Sequence, residues 1–162
     1  MATLAFHLEM PNPSLAERKD LLMAAIEEKV GILGQQLYDL VAAKLSGGVL
    51  NIGTGALLSS VMLAAVGVTG MAVGTFVEIP EDSPQYLIGK VHEYGGAGYY
   101  PIEPVNAQAL RFIVGGTLVF AKHVNHPPAI ERSFLRSSLD EMTETVYAEL
   151  QSTIGEVLGA NL

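Results

Sequence analysis

Four histidines and a scatter of carboxylates are the residues of this chain best suited to chemistry. His92 stands beside Glu93, and His123 and His126 are three apart. Together these four would be the ligand set of a metal-dependent hydrolase, in which imidazole nitrogens and a carboxylate oxygen hold the ion. The spacing argues against it. His123 falls in a strand signal and His126 precedes Pro127-Pro128, so the pair lacks the shared helical face of a zinc protease. Surface or hydrogen-bonded histidines account for them. Ser59, Ser60 and Ser133 have no Gly-x-Ser-x-Gly context around them. Gly53-x-Gly55 lacks the third glycine of a dinucleotide site. Asp140 and Glu141 belong to a charged helix face, which is usually solvated. No catalytic residue, metal site or cofactor is expected.

Tyr94, Tyr99 and Tyr100 could stack against bases, but Lys90 is the only lysine or arginine within ten residues of any of them. A single-strand channel needs a positive groove. Tyrosines beside glycines more often pack turns or subunit interfaces. Arg132 and Arg136 sit one turn apart, suited to a neighbouring subunit or to local pairs with Glu131 and Asp140. Nine basic residues against seventeen acidic ones give a net charge of −8, which argues against binding nucleic acid over the whole surface.

The elements that would position these residues are legible from periodicity. At 162 residues the chain is expected to form one domain over residues 1–162, with a substantial core. With no cysteine, it can form neither a disulfide framework nor a thiolate zinc site. Thr3 to Leu8 alternates as a short strand, with no basic region to make it a secretory signal. Ser14 then caps a helix whose stripe is Leu15, Leu22, Ile26, Val30, Leu33, Leu37, Val41 and Leu45, with a kink or break plausible at Gly31 or Gly34. No charge occurs between Lys44 and Glu78. Residues 57–77 are long enough to span a bilayer, the basis of an alternative, membrane-associated reading. Gly67, Gly70 and Gly74 with β-branched neighbours favour two strands joined at Val68-Thr69-Gly70. Leu57, Ser59, Val61, Leu63 and Ala65 would share one face, and Met71, Val73, Thr75, Val77 and Ile79 a face of the partner.

Ser83-Pro84 opens a short helix through Tyr94, stopped by Gly95-Gly96, and Tyr99 to Asn106 reads as loop. Gly115-Gly116 joins two strands in a hairpin. After Pro127-Pro128 comes an amphipathic helix. Its stripe is Leu135, Leu139, Met142, Val146, Leu150, Ile154 and Val157, with Asp140, Glu141, Glu144, Glu149 and Glu156 opposite.

Four phrases follow one another along the chain: Thr54-Gly55-Ala56-Leu57, Val91-His92-Glu93-Tyr94-Gly95, Asn106 to Phe112, and Arg132-Ser133-Phe134-Leu135. In order and spacing the chain resembles the tail-completion and head–tail joining proteins of long-tailed phages, and the related virion-morphogenesis family of transposable phages. It departs from them at Ser133, where proline is usual, and at Leu58, where a polar or charged residue is common. The resemblance implies an α+β subunit with long N- and C-terminal helices packed on a mixed, mainly antiparallel sheet with a long hairpin. It implies a closed, homo-oligomeric ring, sixfold by likeness, in the virion neck as tail-completion, tail-terminator or connector protein. Such a subunit is assembled in the host cytoplasm, touches connector, stopper or tail-tube proteins, and has no catalysis, cofactor or membrane partner. DNA would pass through without tight binding, which an acidic subunit favours. Candidate interface residues are Val61, Leu63, Met71, Val73, Tyr94, Tyr99, Tyr100 and Arg132; Asp140, Glu144 and Glu149 are candidates for lining the conduit.

Overall fold

A computed structural model describes residues 15–50, 53, 55–66, 74–96 and 98–159. The strand at Thr3–Leu8, the Ser14 cap, the Val68-Thr69-Gly70 turn, Thr54, Met71 and Val73 lie outside the described residues. The elements are α1 (Leu15–Ala43), α2 (Ala56–Ser59), β1 (Met62–Val66), β2 (Gly74–Glu78), α3 (Tyr86–Tyr94), β3 (Tyr100–Ile102), β4 (Leu110–Val114), β5 (Thr117–Ala121), β6 (Val124–His126) and α4 (Leu135–Gly159). The protein is α+β, with long first and last helices and small antiparallel sheets.

The expected mixed sheet is not found among the described residues. Among the described residues the strands pair two by two, β1 with β2, β3 with β6 and β4 with β5, all antiparallel. Proline is one reason: Pro80 follows β2, Pro101 sits inside β3 and Pro127 follows β6, each removing a ladder donor. Two local expectations are also corrected. Leu57 and Ser59 are helical, because Gly55 turns left-handed (φ 75°) and the Ser59 and Ser60 hydroxyls donate back to the carbonyls of Gly55 and Leu57. Within the expected loop, Tyr100–Ile102 pairs with Val124–His126.

The chain divides into two compact units. The first comprises the described residues of 15–41, 62–66, 74–78 and 138–159. Here the α1 stripe meets β2 and α4, and Val30, Leu33, Leu37, Met142, Val146 and Leu150 border one open apolar groove of about 260 Å³. Lys29 Nζ donates to Glu149 Oε2 at 2.7 Å, linking α1 to α4. Alternation holds along β2, with Thr75 and Val77 half-buried and Phe76 and Glu78 exposed, but fails in β1 after Leu63, where Ala64 is half-buried and Ala65, expected to share the Leu63 face, is exposed. The α4 stripe is corrected by about one residue at two points. Ser138 and Thr153 are buried, while Leu139 and Ile154 are exposed. A hydroxyl can be buried on a helix because it bonds backward within the same helix, as Thr153 Oγ1 does to the Glu149 carbonyl at 2.8 Å.

α1 runs unbroken past Gly31 and Gly34, and Gly34 has a different purpose from a kink. A Cβ there would stand 2.3 Å from Thr75 Oγ1, so only glycine lets β2 lie directly on α1. A Cβ on Gly31 meets nothing within 4 Å. The two glycines should therefore answer alanine with opposite signs. Gly34→Ala should destabilise by about 1–3 kcal/mol through overpacking, whereas Gly31→Ala should stabilise by up to about 1 kcal/mol through helix propensity. Thermal melts of both variants test this; equal responses would mean that β2 does not rest on Gly34.

The second unit comprises the described residues of 42–61 and 79–137. Its core includes Leu45, Leu50, Val61, Ile79 and Phe134. The β4–β5 hairpin turns through Gly115 and Gly116 at φ 54° and 81°, the paired left-handed residues of the expected two-residue turn. Beyond α3, the chain near residue 130 is tied back to the helix end. Gly96 N–H donates to the Ala129 carbonyl (2.9 Å), and Arg132 N–H to the His92 carbonyl (2.7 Å).

Candidate functional site

The densest polar constellation joins two phrases that are far apart in the chain. Glu93, in the last turn of α3, is 2% exposed and points its carboxylate at the start of α4. Oε2 accepts from the backbone N–H of Phe134 (2.8 Å) and Leu135 (2.9 Å). Oε1 accepts from the N–H of Arg136 (2.9 Å), the Ser133 hydroxyl (2.8 Å) and the Arg136 guanidinium Nε (3.3 Å). The remaining first-turn donor, Ser137 N–H, goes to Ser133 Oγ at 3.2 Å. An α-helix begins with four N–H groups that have no partner inside the helix, and here Glu93 and Ser133 together take them.

The local sequence explains why a remote carboxylate is used. Phe134 occupies the capping position before Leu135, and phenylalanine has no side-chain acceptor. Glu93 supplies it from α3, with the added attraction between a negative charge and the helix N-terminus. Ser133 acts here both as donor to Glu93 and as acceptor from Ser137. Arg136 completes the clasp. Its guanidinium reaches Glu131 and the Glu93 carbonyl (3.1 Å) and lies over the Tyr94 ring at 4.9 Å.

Charge and burial compete at this carboxylate. Burial alone would push the Glu93 pKa up; the backbone donors of Arg136, Leu135 and Phe134, with the Ser133 hydroxyl, outweigh it and hold the pKa below the usual 4.5. His92, next in sequence, is lowered from 6.5 by burial and then by the charge of Arg132. Both shifts have the same consequence for stability. A depressed carboxylate pKa contributes stability that is present above about 4.5 and lost as pH falls through the folded value. A depressed histidine pKa means that the unfolded chain takes up the proton first, so stability declines as pH drops below 6.5. Stability should therefore fall in two acid steps. Denaturant titrations from pH 8 to 3 should show His92→Gln flattening the upper step and Glu93→Gln the lower; identical profiles in all three proteins would refute the assignment.

With five donors on its two oxygens, Glu93 is committed to structure, and serving as a metal ligand or general base would require releasing the first turn of α4. The other members of the hydrolase set are not gathered around it. His123 Nε2 bonds Asn125 Oδ1 (3.0 Å) and His126 Nδ1 bonds the Pro127 carbonyl (2.7 Å). Among the described residues no group of three or more His, Asp or Glu is arranged to hold a metal ion. Likewise, no helix of the described residues is long and apolar enough to cross a membrane. Residues 62–66 and 74–78 are paired strands, so 57–77 is not one continuous helix.

The candidate interface residues fall into different places. Tyr94, Tyr99 and Tyr100 are 59, 73 and 50% exposed, with Tyr100 stacked on His126 at 5.0 Å. Arg132 is exposed, Leu63 half-buried, and Val61 buried, so Val61 presents no surface to a neighbour. Asp140 and Glu144 are exposed on α4. Glu149 does not share that freedom, because it is half-buried against Lys29. Sequence reasoning weighed Glu93 as a metal ligand and missed its capping role; the available signal was Phe134, an incapable residue at a helix start. No protein-family model matches the chain, and neither does a curated protein or a solved structure.

Proposed function

We propose that the chain is a structural, ring-forming subunit of a phage neck, acting in tail completion, tail termination or head–tail connection without chemistry of its own. The reading rests on the ordered resemblance of its phrases to that family. One observation supports it above the rest: the Glu-Tyr-Gly phrase and the Ser-Phe-Leu phrase close on each other through Glu93. The motifs behind the likeness thus make one structural clasp. Exposed tyrosines and apolar side chains offer the unlike patches that a closed ring needs between neighbours. A net charge of −8 suits a conduit that must not hold passing DNA.

The test is location. Cryo-electron microscopy of virions carrying a labelled copy should place the label at the head–tail junction, in a ring of fixed copy number, sixfold by the resemblance. A label confined to the capsid shell, or virions with complete necks that lack this protein, would overturn the reading.

A further inference from the structure

The β4–β5 hairpin is a two-stranded sheet with an exposed apolar face. In register, Arg111 lies opposite Phe120 and Ile113 opposite Leu118, so these four side chains share one face. Ile113, Leu118 and Phe120 are 71, 46 and 63% exposed, and Val114 at the turn is 57% exposed. A two-stranded hairpin with an uncovered apolar face is marginal in water and gains most from a partner.

Its charge indicates which partner. Residues 104–130 hold Arg111 and Lys122 but no aspartate or glutamate, leaving seven basic residues against all seventeen acidic ones in the rest of the chain. Both are exposed, and neither has an ion-pair partner among the described residues. The complementary surface is on α4. At about 100° per residue, Leu139, Asp140, Thr143, Glu144 and Tyr147 occupy one arc of that helix. Leu139 and Tyr147 are 54 and 65% exposed, and Asp140 and Glu144 are exposed beside them.

We propose that the β4–β5 hairpin of one copy docks on this acidic, apolar-edged face of α4 in a second copy. Ile113, Leu118 and Phe120 cover Leu139 and Tyr147, while Arg111 and Lys122 meet Asp140 and Glu144. The contact joins two different patches, the kind that propagates from subunit to subunit and makes a ring where the rotation between neighbours closes. One cation in a largely apolar face and a second just past its end suit a protein surface better than a nucleic-acid backbone, which is held by many phosphate contacts. The proposal deepens the neck reading and rests on its premise that the chain self-assembles.

Charge exchange tests it on the purified full chain by analytical ultracentrifugation. Arg111→Glu with Lys122→Glu should weaken self-association by about tenfold or more, as should Asp140→Lys with Glu144→Lys. Because the contact is between unlike patches, mixing the two variants should restore oligomers of wild-type size, as should combining all four changes in one chain. That rescue also excludes misfolding as the cause of the loss. A wild-type chain that stays monomeric at millimolar concentration, variants that assemble normally, or mixtures that stay dissociated would each overturn the contact. A hairpin variant that loses DNA binding while self-association is unchanged would assign the patch to nucleic acid instead. Oligomers indifferent to charge reversal leave the neck reading standing; a working charge exchange in a protein missing from virion necks removes that reading and keeps this contact.

Discussion

Replacing Glu93 with alanine should cost about 3–5 kcal/mol of folding stability, since each buried donor left without a partner costs about 1–3 kcal/mol and several are stranded at once. The side chain is 3% exposed, so solvent does little to screen it. Its loss strands the N–H groups of Phe134, Leu135 and Arg136 at the buried start of α4. Glu93→Gln should recover part of the loss, since an amide oxygen still accepts, although its NH₂ turns a donor toward donors. Arg136→Ala should cost much less than Glu93→Ala, because that side chain is half exposed and its pairs are screened. Urea denaturation of the three variants separates these effects. A Glu93→Ala protein within about 1 kcal/mol of wild type would show that water replaces the cap and that the clasp is incidental. For a domain whose whole margin is about 5–15 kcal/mol, the expected loss threatens folding at body temperature.

The second large effect is at Phe134, which is fully buried in the same clasp. Phe134→Ala should cost about 3–5 kcal/mol, combining lost transfer energy with the cavity left behind. Because its backbone N–H is a donor to Glu93, the two sites are coupled. The double variant should lose less than the sum of the single losses, by about 0.5–3 kcal/mol, since a helix start already loosened has less left to lose. Strict additivity in a double-mutant cycle would show that ring packing and carboxylate capping act independently. Leu139→Ala, by contrast, should be nearly silent in stability, because the side chain is 54% exposed.

What could be read in advance followed from local rules. The steps of three and four residues from Leu22 to Leu45 and from Leu135 to Val157 marked α1 and α4 as helices, because helical geometry repeats every few residues. Gly115-Gly116 marked the β4–β5 turn, since left-handed backbone there admits glycine at no steric cost. Sheet organisation was not local. Alternation identifies a strand and its faces but not its partner, so the pairing of Tyr100–Ile102 with Val124–His126 was invisible.

By itself, the sequence determined the helices, the glycine turn, the acidic balance and the lack of cysteine chemistry, because each depends on residue identity and short spacing. Only tertiary structure decided the use of Glu93, since its donors lie about forty residues away and become neighbours only when the α3 end meets the α4 start. It likewise decided that Gly34 is a contact with Thr75 and no kink, and that Ser138 is buried while Leu139 is exposed. A helix pattern specifies a face to within about one residue, and the packing partner selects the rotation. Hydrophobicity is summed locally; the satisfaction of a particular buried hydrogen bond is settled only where two distant segments meet.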